Sequence, residues 1–171
     1  MLFTALWQMI SYLCKRAYIT PADEPGNIRW VDGLESIDDP IINIQLTNAG
    51  NNLCNNVKFL VLAYNSTIIS GESDVLFPLY THMSNPVPRS GKLFLRVTQN
   101  QLSNDGITQM HVLATAIVVM KIEYMDIILQ KPYEDTFYWE LGTDSNLEEI
   151  NPQTLDKIRP VIQEDLLRLW K

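Results

Sequence analysis

The segment from Ile41 to Tyr64 limits what this chain can fold into more than any other. Ile42, Ile44 and Leu46 alternate with Asn43, Gln45 and Thr47, and Val57 to Tyr64 is then apolar at nearly every position after Lys58. Alternation of period two describes a strand with one wet face, and a continuous apolar run describes a strand covered on both faces. Between them lies Asn48-Ala49-Gly50-Asn51-Asn52, whose residue types tolerate positive φ and suit a turn between antiparallel strands. The pair predicts a β-rich fold with the second strand in mid-sheet.

Further strands are expected at Thr67 to Ser70, at Val75 to Tyr80 and at Lys92 to Thr98, where Leu93, Leu95 and Val97 alternate with Lys92, Phe94 and Arg96. The longest apolar segment runs from His111 to Leu129. It is too short and too β-branched for a membrane span, and it passes into alternation at Lys121, Glu123 and Asp126, which predicts one long bent strand or two joined strands. Tyr124 and Asp126 share a face there and suggest a polar bond across the sheet. Lys131 to Asp135 is expected to turn the chain, and Thr136 to Leu141 to close the sheet. Short, regularly spaced strands point to an antiparallel sandwich.

Near the C-terminus the period changes. Asn151 followed by Pro152 is a helix start, and Leu155, Ile158, Ile162, Leu166 and Leu169 recur at threes and fours as an amphipathic stripe. Pro160 is expected to kink or divide this helix. At the other end, Thr20 to Asn27 holds two prolines, a glycine and two acids, which cannot sustain a helix or a central strand and is taken as a linker. Trp30 to Gly33 suggests a short edge strand or turn, and Asp38-Asp39-Pro40 breaks the chain before the first clear strand.

Met1 to Cys14 carries no charge and runs into Lys15-Arg16. It falls short of the ~20 residues that span hydrocarbon as a helix, and it lacks the basic start and small-residue cleavage site of a signal peptide. As a helix it gathers Leu2, Leu6, Met9, Ile10 and Leu13 on one stripe, widened by Phe3, Trp7 and Tyr18. Three readings stand: a helix packed on the domain or a partner chain; an anchor lying at a membrane surface or marginally inserted, favoured by Trp7 and Tyr12 with cations behind them; and a signal peptide. Insertion would hold the domain on the cytoplasmic side. The candidate membrane or partner contacts are Leu2, Phe3, Leu6, Trp7, Met9, Ile10 and Leu13.

Lys and Arg total 13 against 20 Asp and Glu, for a net charge of −7, and the cations are scattered, so neither nucleic acid nor another anionic partner is expected for the globular part. Cys14 and Cys54 lie in unlike contexts and are expected to be free thiols in a reducing compartment. The sequon Asn65-Ser66-Thr67 is expected to cap a strand end. His82 and His111 have no further His, Cys or carboxylate at ligand spacing, so neither a zinc site nor a histidine base is expected. The acid pairs Asp38-Asp39, Glu134-Asp135 and Glu148-Glu149 flank turns or a helix start, where carboxylates cap and solvate. Tyr133, Phe137, Tyr138 and Trp139 suit a core strand better than a surface pocket. Without a phosphate loop, a nucleophile elbow or a Cys-x-x-Cys, no catalytic residue, cofactor or metal is expected.

The run Leu46-Thr47-Asn48-Ala49-Gly50, followed by Asn56-Val57 and a branched strand, resembles the opening of Ig-like β-sandwich modules common in bacterial surface proteins. Ile122-Glu123-Tyr124-Met125-Asp126-Ile127 is similar to a late strand in the soluble domains of membrane-anchored bacterial proteins. The resemblance covers about Asp39 to Leu141 and implies structural roles for Asn48 and Gly50. This chain departs from it in placing Asn52, Leu53 and Cys54 where a small residue precedes the Asn-Val pair.

The expected division is therefore an apolar helix over 1–19, a linker over 20–38, an Ig-like β-sandwich over 39–142 and a helical segment over 143–171. The expected function is a non-enzymatic interaction or sensing module held at a membrane or partner surface by its N-terminal helix. The alternatives are a subunit of a homo-oligomeric or secretion-type assembly and an enzyme with a site near His82 or His111.

Overall fold

Strand alternation decides the layers of this molecule. The computed structural model describes residues 16–28 and 40–170, among which lie eight strands: β1 (Ile19–Ile28), β2 (Ile42–Asn48), β3 (Cys54–Tyr64), β4 (Val75–Met83), β5 (Lys92–Val97), β6 (Ile117–Asp126), β7 (Lys131–Leu141) and β8 (Leu147–Glu149). They form two antiparallel sheets, ordered β1-β2-β5 and β4-β3-β6-β7-β8. Ile42, Ile44 and Leu46 of β2 meet Phe59, Val61 and Ala63 of β3 and Val118, Met120 and Ile122 of β6 in one core between the sheets. The intervening residues of the same strands, Leu60, Leu62, Tyr64, Ile117 and Val119, build a second core on the outer face. A helix covers it: α3 (Pro152–Leu169) brings Ile158, Ile162 and Leu166 onto these side chains. Each such burial contributes about 1.5–3 kcal/mol, and this is why β3 and β6 are apolar on both faces.

The mid-sheet position expected for β3 holds, since it pairs with β4 on one side and β6 on the other. Its expected pairing with β2 does not. β2 lies between β1 and β5, so the Asn/Gly connection carries the chain from one sheet to the other. The reason lies in Asn48: its Nδ2 donates to the Asn52, Val87 and Pro88 carbonyls, while Cys54 bridges Val87. The turn residues hold a neighbouring loop instead of closing a hairpin.

Several other expectations change locally. Ser66–Ser70 is a 3-10 turn, not a strand, because the Asn65 side chain accepts a hydrogen bond from Thr67 N at 2.8 Å and Gly71 closes the turn at φ +90°. After α1 (Gln99–Asn104), His111 to Leu113 belong to α2 (Gln109–Leu113), where His111 Nδ1 accepts from Thr108 N at 3.1 Å; the strand starts only at Ile117. Lys131 to Asp135 is already strand, since Asp126 Oδ1 accepts from Ile128 N and Leu129 N at 2.9 and 2.8 Å and turns the chain earlier. The strand expected to end at Tyr80 continues to Met83, so His82 lies in β4. The C-terminal segment opens with β8 before its helix begins at the expected cap, Asn151 accepting from Gln153 N at 2.9 Å. Pro160 does not divide α3, which runs through it as one helix with the proline on the exposed side.

Candidate binding groove

The stretch Pro21-Ala22-Asp23-Glu24-Pro25-Gly26, taken from sequence as linker, is part of the edge strand β1. Pro21 is partner to Leu46 and Gly26 to Ile44, so Ala22 to Pro25 stand out from the ladder against the single residue Gln45. Prolines lack the N–H that an inner strand must donate, and an edge bulge is where they fit. Gly26 returns the chain to the ladder at φ +126°, where an added Cβ would stand 1.8 Å from the Asn43 carbonyl oxygen. Only glycine fits there.

Beyond Gly26 the two sheets touch. Asn27 forms a bridge with Asn146, and Ile28 N donates to Ser145 O at 2.9 Å. From this junction β1 diverges from β7 and β8, leaving a groove of about 700 Å³. Pro21, Pro25, Phe137, Trp139 and Leu147 supply apolar surface, and Asp23, Glu148 and Glu149 supply negative charge. The Phe137 and Trp139 rings lie 5.9 Å apart with a tilt of 31°. Trp139 is buried, as expected of a core aromatic, while Phe137 and Tyr138 are half-buried and line the groove. Burial raises the Tyr138 phenol above its ordinary pKa despite the Arg159 charge nearby, so it remains a neutral donor. Two sheet edges flanking an aromatic, acidic groove are suited to an extended chain with apolar and basic side chains.

At the opposite end of the same strands lies a polar node. Asp126 is fully buried; Oδ2 accepts from Ala17 N at 2.7 Å and Asn52 Nδ2 at 3.0 Å, while Oδ1 takes the two turn N–H groups. Burial alone would raise its pKa, yet the hydrogen bonds from Leu129, Ala17, Asn52 and Ile128 outweigh this and hold the carboxyl below the ordinary value. Beside it, burial and the Asp126 charge push the Cys54 thiol up to about 11. Asn48 Oδ1 accepts from Gly50 N at 3.1 Å and Tyr18 N at 3.3 Å, and a Cβ on Gly50 would meet the Arg16 carbonyl at 2.4 Å. Arg16 itself spans the Tyr18 and Tyr133 rings at 5.5 and 4.8 Å and stands 4.0 Å from Asp135. The chain leading out of the N-terminal segment is thus held at three consecutive residues.

The remaining candidates are dispersed. Leu2, Phe3, Leu6, Trp7, Met9, Ile10, Leu13 and Cys14 lie outside the described residues, as do Trp30 to Gly33 and Asp38-Asp39. His82 stands exposed on β4 beside Lys58, lining with Tyr80 and Trp170 a second, more apolar hollow of about 470 Å³. His111 is on α2, among other residues. Among the described residues no group of three or more His, Cys, Asp and Glu is arranged to hold a metal. Glu134 pairs with Lys121 at 2.9 Å, and Asp135 accepts from Tyr124 Oη at 2.8 Å. The polar bond anticipated for Tyr124 therefore runs to the neighbouring strand, while Asp126 turns to other partners.

Sequence reasoning missed the groove lip, because proline and glycine mark a bulged edge as readily as a linker. It also missed Asp126 and Asp165 as structural centres. Asp165, buried on α3, receives Tyr64 Oη at 3.2 Å and Ser73 Oγ at 2.6 Å and pairs with Arg168 at 2.6 Å. An acid in register with an apolar face, Asp126 after Ile122 and Tyr124, was the available signal. No family model and no curated relative matches the chain.

Proposed function

We propose that this protein is a non-enzymatic interaction module: an Ig-like β-sandwich whose Met1 to Cys14 segment attaches it to a membrane surface while the aromatic groove takes an extended peptide. The observation that carries the reading is the pinned departure of that segment. With Ala17 bonded to Asp126 and Tyr18 to Asn48, an attachment made by residues 1–14 orients the whole domain, and the groove lies towards the other end. Support for the Ig-like assignment comes from strand order. The third, sixth and seventh strands share one sheet and the first, second and fifth the other, as in Ig-like sandwiches, with the fourth transferred to the side of the third. The acidic rim of Asp23, Glu148 and Glu149 favours a ligand with basic residues.

Flotation with neutral phosphatidylcholine vesicles tests the attachment. Among the described residues both cores are assembled from positions after Arg16, and a chain lacking 1–14 is expected to stay folded and to lose flotation. A truncated chain that floats as well as the full one overturns the anchor. Light scattering of the same pair separates the assembly reading: a full chain that is oligomeric without lipid, and monomeric after truncation, means that the segment packs on its own copies. For the groove, an extended peptide alternating Leu and Lys is expected to bind the full chain and to lose binding in Phe137→Asp.

A further inference from the structure

Four chain segments meet at the end from which the N-terminal segment departs: 16–18, 49–53, 84–91 and 127–130. None of them contains Asp or Glu, although the chain as a whole carries 20 acids. Arg16 and Arg89 lie within them, and the exposed Lys92 and Lys131 open the strands that leave them. The opposite end is the reverse. The connections 65–74, 98–116 and 142–146 contain Glu72, Asp74, Asp105 and Asp144 and no Lys or Arg. Acids closest to the basic end are already engaged: Asp126 is buried among its donors, Asp135 accepts from Tyr124 and stands 4.0 Å from Arg16, Glu134 pairs with Lys121, and Glu123 with Lys58. Apolar side chains also project there, Leu53 with 41% and Ile128 with 51% of their surface exposed. The two loops bearing them are joined by Ile127 N donating to Leu53 O at 3.1 Å, so they form one tip.

We infer that this end of the domain is a docking face for an anionic lipid surface, with Lys92 and Lys131 meeting the headgroups and Leu53 and Ile128 entering the interface. The inference rests on the anchored reading above and adds to it a lipid class and an orientation. Charge complementarity selects this end, because a negative bilayer attracts cations within a Debye length, about 8–10 Å, and repels the acid-bearing end. Continuity selects a bilayer as the occupant, because the apolar run Met1 to Cys14 leaves from the same place through Lys15-Arg16. Met110 and Leu113 are exposed as well, but they stand on α2 at the acidic end and serve as the comparison. Each cation near such a surface strengthens binding by roughly fivefold.

The test measures sedimentation of the full chain with phosphatidylcholine vesicles made with and without phosphatidylserine. Phosphatidylserine is expected to strengthen binding, and added salt to remove the gain. The pair Lys92→Glu and Lys131→Glu should lose at least about tenfold on the anionic vesicles with little change on neutral ones. Arg96→Glu with Lys157→Glu, an equal change in charge placed elsewhere, should retain the gain. Leu53→Asp with Ile128→Asp should weaken binding more than Met110→Asp with Leu113→Asp. Thermal unfolding of each variant checks that it is folded. Equal binding to both vesicle types, or equal effects of the two charge pairs, overturns the inference and leaves the anchor standing. A full chain that binds neither vesicle overturns both.

Discussion

Asp126, the last residue of β6, accepts a hydrogen bond at 2.7 Å from the backbone N–H of Ala17, which lies 109 positions earlier in the chain. The same carboxylate holds the Asn52 side chain and the turn after β6, so three segments depend on one buried charge. Removing it leaves several buried donors without an acceptor. Asp126→Ala is therefore expected to lower stability by ~3 kcal/mol, measured by urea unfolding, and to increase amide exchange at Ala17, Ile128 and Leu129. A loss below ~1 kcal/mol would mean that water replaces the carboxylate freely.

The same residue predicts a pH dependence. Its folded pKa lies below the ordinary carboxylate value, so its contribution is fully present above that unfolded value, about 3.9, and is lost as pH falls through the folded pKa. The stability difference between the native chain and Asp126→Asn should be constant near neutrality and shrink below about pH 4. Unfolding curves across that range check it; a difference that grows on acidification contradicts the assignment.

Glycine substitutions separate a steric demand from a conformational one. Gly26 and Gly71 both have positive φ, but a Cβ at Gly26 collides with the Asn43 carbonyl while at Gly71 it meets open space. Gly71→Ala should cost ~1 kcal/mol, from φ alone. Gly26→Ala should cost ~2 kcal/mol or more and should also weaken peptide binding, because the bulge that forms the groove lip must shift.

Cys54 is buried and its thiol is pushed up to about 11, so near pH 8 only ~1 in 1,000 is thiolate. In a Cys14→Ser chain it should resist Ellman's reagent until the protein is denatured. Labelling on the timescale of an exposed thiol would show that the β3 end opens.

On the outer face, Tyr64 and Asp165 join β3 to α3. Tyr64→Phe should lose ~1 kcal/mol, a single hydrogen bond. Asp165→Ala should lose ~2–3 kcal/mol, because the buried Tyr64 hydroxyl then has no acceptor, and circular dichroism should show the helix loosening before the sheets.

Much of the architecture was legible along the chain. The alternation of β2 and β5, the two apolar faces of β3, and the Asn151-Pro152 start of α3 are local patterns, and local geometry decides them. Where residues 20–28, 66–70 and 111–113 departed from expectation, the propensities were ambiguous and distant contacts chose between outcomes. Pro21 and Pro25 mark an edge bulge only because β2 lies beside them. Thr67 and Ile68 are strand formers overruled by the Asn65 cap.

By itself, then, the sequence determined the strands, the amphipathic helix and the acidic balance of the chain, since periodicity and charge reside in neighbouring residues. Tertiary structure alone decided that β2 and β3 belong to different sheets, that a supposed linker forms the lip of a groove, and that loops without acids gather at one end and loops without Lys or Arg at the other. Sheet order and loop convergence depend on contacts between residues tens to a hundred positions apart, and such distances leave no mark in a local pattern.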